Sequence, residues 1–207
     1  PARDNNFKAI RAYLNTSETD KTKEKRDAQR KVLCIVKGNA YGHGGPAVAE
    51  ALEKAGSDWF GVTCTEEGIT LRKAGVRKPI LILTSFVAGE EKRLLDHNLT
   101  AVIHRCDQLA QLERAAARRG KKKVSFPLKI DAGMNRLGIA SGDVDCFARQ
   151  LAKARHLQLG GVMTHFASSG VFTDTAVGRQ TREQEQKFYA ALARLRACHR
   201  ESCPVPP

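Results

Sequence analysis

Six short runs of apolar, often β-branched residues recur along the chain, and their rhythm limits what it can fold into. They are Val32–Val36, Trp59–Thr63, Ile80–Leu83, Thr100–Ile103, Val124–Ile130 and Leu159–Met163. Continuous runs this short read as parallel strands covered on both faces, since a half-solvated strand would alternate apolar and polar residues. Helical patterns lie between them. Ala47, Ala51, Leu52 and Ala55 precede Gly56; Ile69 and Leu71 precede Gly75; Leu109, Leu112 and Ala116 precede Gly120. Each glycine stands just past a helix end, where a left-handed residue is favoured. Thr63 and Glu66 have the spacing of a capping box opening the second of these helices. Glu66 and Glu67 are therefore expected as cap residues rather than catalytic acids.

The strand–helix unit repeats at a spacing of roughly 20–33 residues. Short right-handed crossovers of this kind suit a doubly wound sheet or a closed barrel. No G-x-G-x-x-G and no G-x-x-x-x-G-K fingerprint is present, so nothing points to a dinucleotide site or a P-loop. The even repetition favours an α/β fold of the (β/α)8 TIM-barrel type. The six units found are about two short of the full eight. Residues 1–31 are expected to form an N-terminal helix around Phe7, Ile10 and Leu14 followed by a basic connection, and residues 32–207 the barrel domain.

Composition removes several classes. With 42% hydrophobic and 28% charged residues the chain is globular rather than disordered. No apolar run approaches the roughly 18–20 residues of a spanning helix, and no signal-peptide core is visible, so a cytoplasmic protein without membrane contact is expected. The net charge is +13. It gathers at Lys21, Lys23, Lys25, Arg26, Arg30 and Lys31, and again at Arg114, Arg118, Arg119, Lys121, Lys122 and Lys123. Neither cluster is interleaved with aromatics, so both read as solvated surface rather than a nucleic-acid face. Cys34, Cys64, Cys106, Cys146, Cys198 and Cys203 show no C-x-x-C and no histidine at ligand spacing. Reduced packing cysteines are expected, without structural zinc or another metal.

In a barrel the chemistry gathers where strands finish. Lys37 closes the first run and leads into Gly38-Asn-Ala-Tyr-Gly-His-Gly-Gly45. A lysine in this partly dry position presents its amine as a nucleophile, or else snorkels to solvent. In the fifth run Phe126, Leu128 and Ile130 share one face, while Ser125, Pro127, Lys129 and Asp131 share the other. Lys129 and Asp131 are expected to point toward the active face; a buried lysine needs a partner or must lose its charge, and Asp131 is the candidate partner. Pro127 fits a paired strand only at a bulge. Arg136 follows at a turn, and His165 stands at the end of the last run.

Together these segments resemble the N-terminal domain of the alanine racemase family. Val36-Lys-Gly-Asn-Ala-Tyr-Gly-His-Gly44 is similar to the family's cofactor-lysine signature. Phe60–Gly68, Lys129–Gly138 and Gly161–Ala167 match in order and spacing. The resemblance implies a (β/α)8 barrel that binds pyridoxal 5'-phosphate. It implies that Lys37 holds the cofactor covalently and acts as the catalytic base on one face of the substrate. It gives Tyr41 the cofactor phosphate, His165 the pyridine ring, and Arg136 both the cofactor's phenolic oxygen and the substrate carboxylate. Lys129 matches a lysine that can be carbamylated, which would reverse its charge beside Arg136.

The implied reaction interconverts L- and D-alanine by two-base α-proton exchange, supplying D-alanine for bacterial peptidoglycan. The second base would be a tyrosine from a C-terminal β domain of the partner subunit in a homodimer. Gly38 departs from the commoner alanine, residues 17–31 make a longer basic connection, and residues 170–180 look like a surface insertion. The family's seventh strand is expected just beyond Pro207, so the chain reads as a fragment with one of two bases, inactive alone. A serine or broad-specificity racemase of the same fold, and a non-catalytic pyridoxal-phosphate-binding barrel, are the alternatives.

Overall fold

The computed structural model describes residues 2–16, 30–120, 123–168 and 176–200. Lys21, Lys23, Lys25, Arg26, Lys121, Lys122, Cys203 and residues 170–175 of the expected insertion lie outside the described residues. The chain divides into two compact units. One runs up to Leu83 and includes Asp96–Leu99; the other comprises Thr84–Leu95 and the chain from Thr100 onward.

The first unit contains helix α1 (Ala2–Thr16), strand β1 (Leu33–Ile35), helix α2 (Gly45–Lys54), strand β2 (Trp59–Val62), helix α3 (Thr65–Lys73) and strand β3 (Ile80–Ile82). The strands pair in parallel, Cys34 opposite Phe60 and Gly61 opposite Leu81. The sheet order is β1-β2-β3-β4, and Leu99 is the residue that β4 (Leu99–Ala101) contributes to this unit. Phe60, Val62, Ile80 and Ile82 are fully buried, as double-sided coverage requires. β1 departs from that expectation. It is the edge strand, Ile35 remains 38% exposed, and a groove of about 420 Å³ runs along it between Phe7, Ile10, Leu33 and Tyr41.

Helix ends follow the glycines. α2 and α3 end two residues before Gly56 and Gly75, whose φ values of 101° and 93° are left-handed. Two arginines tie the loops down. Arg11 donates to the Gly56 carbonyl at 2.6 Å and to Asp58 at 2.8 Å, while Asp58 also accepts the Val32 N–H at 2.7 Å. Burial alone would raise the Asp58 carboxyl, yet these donors hold it below the usual range. Arg72 donates to four carbonyls, those of His97, Val76, Lys78 and Asn98, at 2.7–3.0 Å.

The second unit contains most of helix α4 (Glu91–Asp96), helix α5 (Cys106–Arg119), strand β5 (Val124–Asp131), strand β6 (Ile139–Ala140), helix α6 (Val144–Lys153), strand β7 (Leu157–Met163) and helix α7 (Ala176–Arg200). Gly120 is itself the cap of α5 rather than the residue after it. The sheet order is β6-β5-β7, all parallel. Phe126, Leu128 and Ile130 are buried, and Phe126 meets Phe147 of α6 edge to face at 6.4 Å.

The register between β5 and β7 shifts between Phe126 and Pro127: Phe126 pairs with Leu159 and Pro127 with Gly161, leaving Gly160 over. A Cβ on Gly160 would lie 2.1 Å from Ser125 Oγ, so the surplus position suits glycine. The bulge expected at Pro127 is thus carried by the partner strand. The strand β6 was not foreseen, because two residues carry no period. Cys34, Cys64, Cys106, Cys146 and Cys198 are free thiols, and no helix among the described residues is long and apolar enough to cross a membrane.

Candidate active-site elements

Lys37 directly follows Val36 at the end of β1 and opens an unusual turn. Gly38, Asn39 and Ala40 have φ/ψ of 59°/43°, 54°/45° and 54°/48°, and Tyr41 and Gly42 continue with φ of 54° and 87°. This is a left-handed helical turn. L-residues resist it by about 1–2 kcal/mol each, because Cβ crowds the following carbonyl oxygen. Asn39, Ala40 and Tyr41 must therefore be held there.

Several bonds do so. Ala40 N–H donates to Val36 O at 2.9 Å, Gly42 N–H to Gly38 O at 3.0 Å and Gly44 N–H to Asn39 O at 3.0 Å. Asn39 Oδ1 accepts the Gly45 N–H at 2.6 Å, joining the turn to the start of α2. Ala40 is buried, whereas Tyr41 is 64% exposed. The half-buried Lys37 carries its ammonium 6.0 Å from the Tyr41 ring centre, within cation–π range.

α3 begins at Thr65 with Cys64 in the cap position, and the Cys64 side chain makes no capping bond. Glu67 accepts two main-chain N–H groups at this helix start. Its Oε2 accepts the Thr63 N–H and its Oε1 the Gly38 N–H, each at 2.7 Å. A helix carboxylate thereby reaches the first residue after the lysine. Sequence spacing did not reveal this, since Gly38 and Glu67 are 29 residues apart.

In the second unit, Lys129 is only 6% exposed, on the face of β5 opposite Phe126 and Leu128. Its ammonium makes no hydrogen bond or ion pair among the described residues. Burial, then the Arg136 guanidinium, push it below the ordinary lysine range, with Asp131 opposing. Asp131 is not the partner that the sequence suggested. Its Oδ1 accepts the N–H groups of Gly133, Met134 and Asn135 at 2.8, 2.9 and 3.1 Å. Burial would raise this carboxyl, but those amides and that of Arg136 hold it low. The carboxylate organises the turn that carries Arg136, which is exposed. Gly138 closes that turn at φ 143°; a Cβ there would lie 2.3 Å from Asp131 N.

His104 was missed. It follows the fourth apolar run, is nearly buried, and sets Nε2 3.2 Å from the Thr84 carbonyl. Burial lowers its basicity; the Thr84 carbonyl opposes this, and Arg105 and Lys129 add to it. Its position at the end of an apolar run was the available signal, the same one that singled out Lys37. Thr164 Oγ1 donates to Ile130 O at 2.8 Å, and His165 is exposed just beyond β7. Gln184 of α7 accepts the Ala167 N–H at 2.9 Å, which fixes the loop containing His165.

Residues 15–205 match the family described as alanine racemase, N-terminal domain. The alanine racemase of Geobacter sp. (strain M21) is 38% identical over 166 residues, covering 80% of this chain and 44% of that protein. That of Haemophilus influenzae is 40% identical over 139 residues, covering 66% and 38%. The chain thus spans less than half the length of these relatives.

Among solved structures, alanine racemase from D-cycloserine-producing Streptomyces lavendulae superposes with a TM-score of 0.78 at 26% identity, covering 98% of this chain and 48% of that one. The Bacillus anthracis alanine racemase with bound L-Ala-P gives 0.78 at 25%, covering 95% and 46%. A match over residues 15–205 leaves little of the sequence unaccounted for, and the chain belongs to the alanine racemase N-terminal domain family, whose fold is an α/β barrel.

Proposed function

We propose that this chain provides the cofactor-lysine part of a cytoplasmic alanine racemase that uses pyridoxal 5'-phosphate. The observation that carries the reading is the presentation of Lys37: an amine at a strand end, half-buried, on a left-handed turn held by several hydrogen bonds. The residues fit the cofactor by their chemistry. A primary amine suits its aldehyde, the Tyr41 hydroxyl on the same turn suits a phosphate oxygen, and the buried Lys129 ammonium has no hydrogen-bond or ion-pair partner among the described residues. When bound, pyridoxal phosphate supplies the electron sink for the charge left when the substrate Cα–H bond breaks.

Lys37 holds the cofactor and then moves the α-proton on one face of alanine. Tyr41 donates to the phosphate and the His165 ring packs on the pyridine. Arg136 offers its guanidinium to the cofactor's phenolic oxygen and the substrate carboxylate. Lys129, once carbamylated, accepts from Arg136 instead of repelling it. Each base works near neutral pH only if tuned to it. The opposite face needs a second base, a tyrosine of the partner subunit in a homodimer, and the D-alanine formed serves peptidoglycan. The ligand L-Ala-P in the Bacillus anthracis relative supports an alanine-sized substrate.

The test is direct. The chain is incubated with pyridoxal 5'-phosphate, reduced with borohydride and mapped by mass spectrometry. A fixed adduct on Lys37, absent in Lys37→Ala, is the expected result. Equal labelling of other lysines with none at Lys37 would overturn the reading.

A further inference from the structure

We propose that Glu67 is a positioning residue for Lys37. The inference rests on the reading of Lys37 as the cofactor lysine. The Gly38 N–H lies in the peptide plane that joins Lys37 to Gly38. A bond to that N–H therefore fixes rotation about the Cα–C bond of Lys37 itself. On the other side of the lysine, Val36 N–H donates to Gly61 O at 2.9 Å, fixing the chain that enters it. The lysine's Cα–Cβ direction is thus set from both sides, by the β1–β2 ladder before it and by Glu67 after it.

The same carboxylate accepts the Thr63 N–H at the end of β2. One side chain therefore bridges the finishing ends of two neighbouring strands. Both bonds are charge-assisted and short, 2.7 Å each. The left-handed turn makes the bridge consequential. Three non-glycine residues after Gly38 sit where L-residues are disfavoured, so slack at Gly38 would let the turn relax and swing the amine.

A carboxylate is required, because two N–H donors converge on two oxygens. A glutamine offers one acceptor oxygen and sets an NH2 group against the other donor. Glu67→Gln is therefore the informative change, and it keeps the side chain's shape.

Wild type and Glu67→Gln are compared as intact protein, below the melting transition, in two measurements. The first is the rate of borohydride-fixed labelling of Lys37 by pyridoxal 5'-phosphate, with the other lysines as internal reference. The second is hydrogen exchange of the Gly38 amide without cofactor. Labelling of Lys37 is expected to slow roughly ten-fold or more, since ångström-scale misplacement of a reacting group costs on that order. Labelling of the other lysines should not change, and Gly38 exchange should speed up. A purely structural role would lower the melting temperature and leave the Lys37 rate, relative to the other lysines, where it was; that outcome overturns the proposal. If wild-type protein labels elsewhere and never at Lys37, the reading of Lys37 fails, while Gly38 exchange still decides whether Glu67 holds the turn. If the glutamine variant does not fold, Glu67→Asp, which keeps the charge but draws the carboxylate back from Gly38, is read by the same two measurements.

Discussion

Glu113 holds His156 at both its ring and its main chain. Oε1 lies 2.8 Å from the imidazole Nδ1, and the two carboxylate oxygens accept the His156 main-chain N–H at 3.2 and 3.1 Å. The Arg155 N–H adds a further bond at 3.0 Å. A helix carboxylate thus receives the chain as it turns into β7. Burial would raise this carboxyl, but the imidazole and the two amides hold it below the ordinary range. A carboxyl lowered by folding stabilises the fold at pH values above its unfolded value, and that contribution fades as pH falls through the folded value. Glu113→Ala should therefore cost about 1–3 kcal/mol in urea unfolding at pH 7. The gap between variant and wild type should shrink in acid, below about pH 4. A gap that stays constant with pH would contradict the assignment.

Arg72 should be irreplaceable by lysine. Its fork serves four carbonyls from three directions, which one ammonium cannot reproduce. Arg72→Lys is expected to lower stability by about 2–3 kcal/mol, close to the effect of alanine. Chemical denaturation of both variants checks this, and full retention in the lysine variant would contradict it.

Gly138→Ala should be among the most damaging single changes. The added methyl would meet the backbone of Ile130 and Asp131 at 2.7 and 2.3 Å, with no flexible side chain to give way. A loss above about 3 kcal/mol is expected, with disorder reaching the Asp131–Arg136 turn. Denaturation reads the first effect, and faster amide exchange at Gly133, Met134 and Asn135 reads the second.

Lys129 supplies a test with the opposite sign. Burial lowers its affinity for a proton, so between its folded value and the ordinary lysine value the unfolded chain binds more protons and stability rises with pH. In carbonate-free buffer at pH 7, Lys129→Met should stabilise the protein by about 1 kcal/mol, because it removes a buried cation that has no ion-pair partner among the described residues. With 13C-bicarbonate, wild type should show a carbamate carbon resonance that the methionine variant lacks. Destabilisation by methionine in carbonate-free buffer would show that the ammonium is well accommodated.

The strands were legible because their burial is continuous: Phe60, Ile80 and Phe126 each lie inside an apolar run that no amphipathic helix would produce. The alternation in β5 was equally plain, and it sets Lys129 on the face away from Phe126. What escaped was long-range or backbone-made. The glycines around Lys37 announced a turn, but its left hand continues through Asn39, Ala40 and Tyr41, of which only asparagine favours that region. Glu67 looked like a local cap, and its partner Gly38 comes from another strand. Asp131 seemed the natural mate of Lys129, yet three turn amides outcompete a buried ammonium for one oxygen. His104 lacked any motif around it.

The surplus glycine in β7 decides the parity of everything after it. Before Gly160, the odd-numbered Leu157 and Leu159 lie beside Val124 and Phe126; after it, Val162 and Met163 pair with Leu128 and Lys129. Odd positions thus exchange sides, and Met163 joins the side of Lys129. In an unshifted register Met163 would instead pair with Ile130, on the side of Phe126. One uncounted residue in a strand is therefore enough to move a side chain from the core face to the face of a buried lysine.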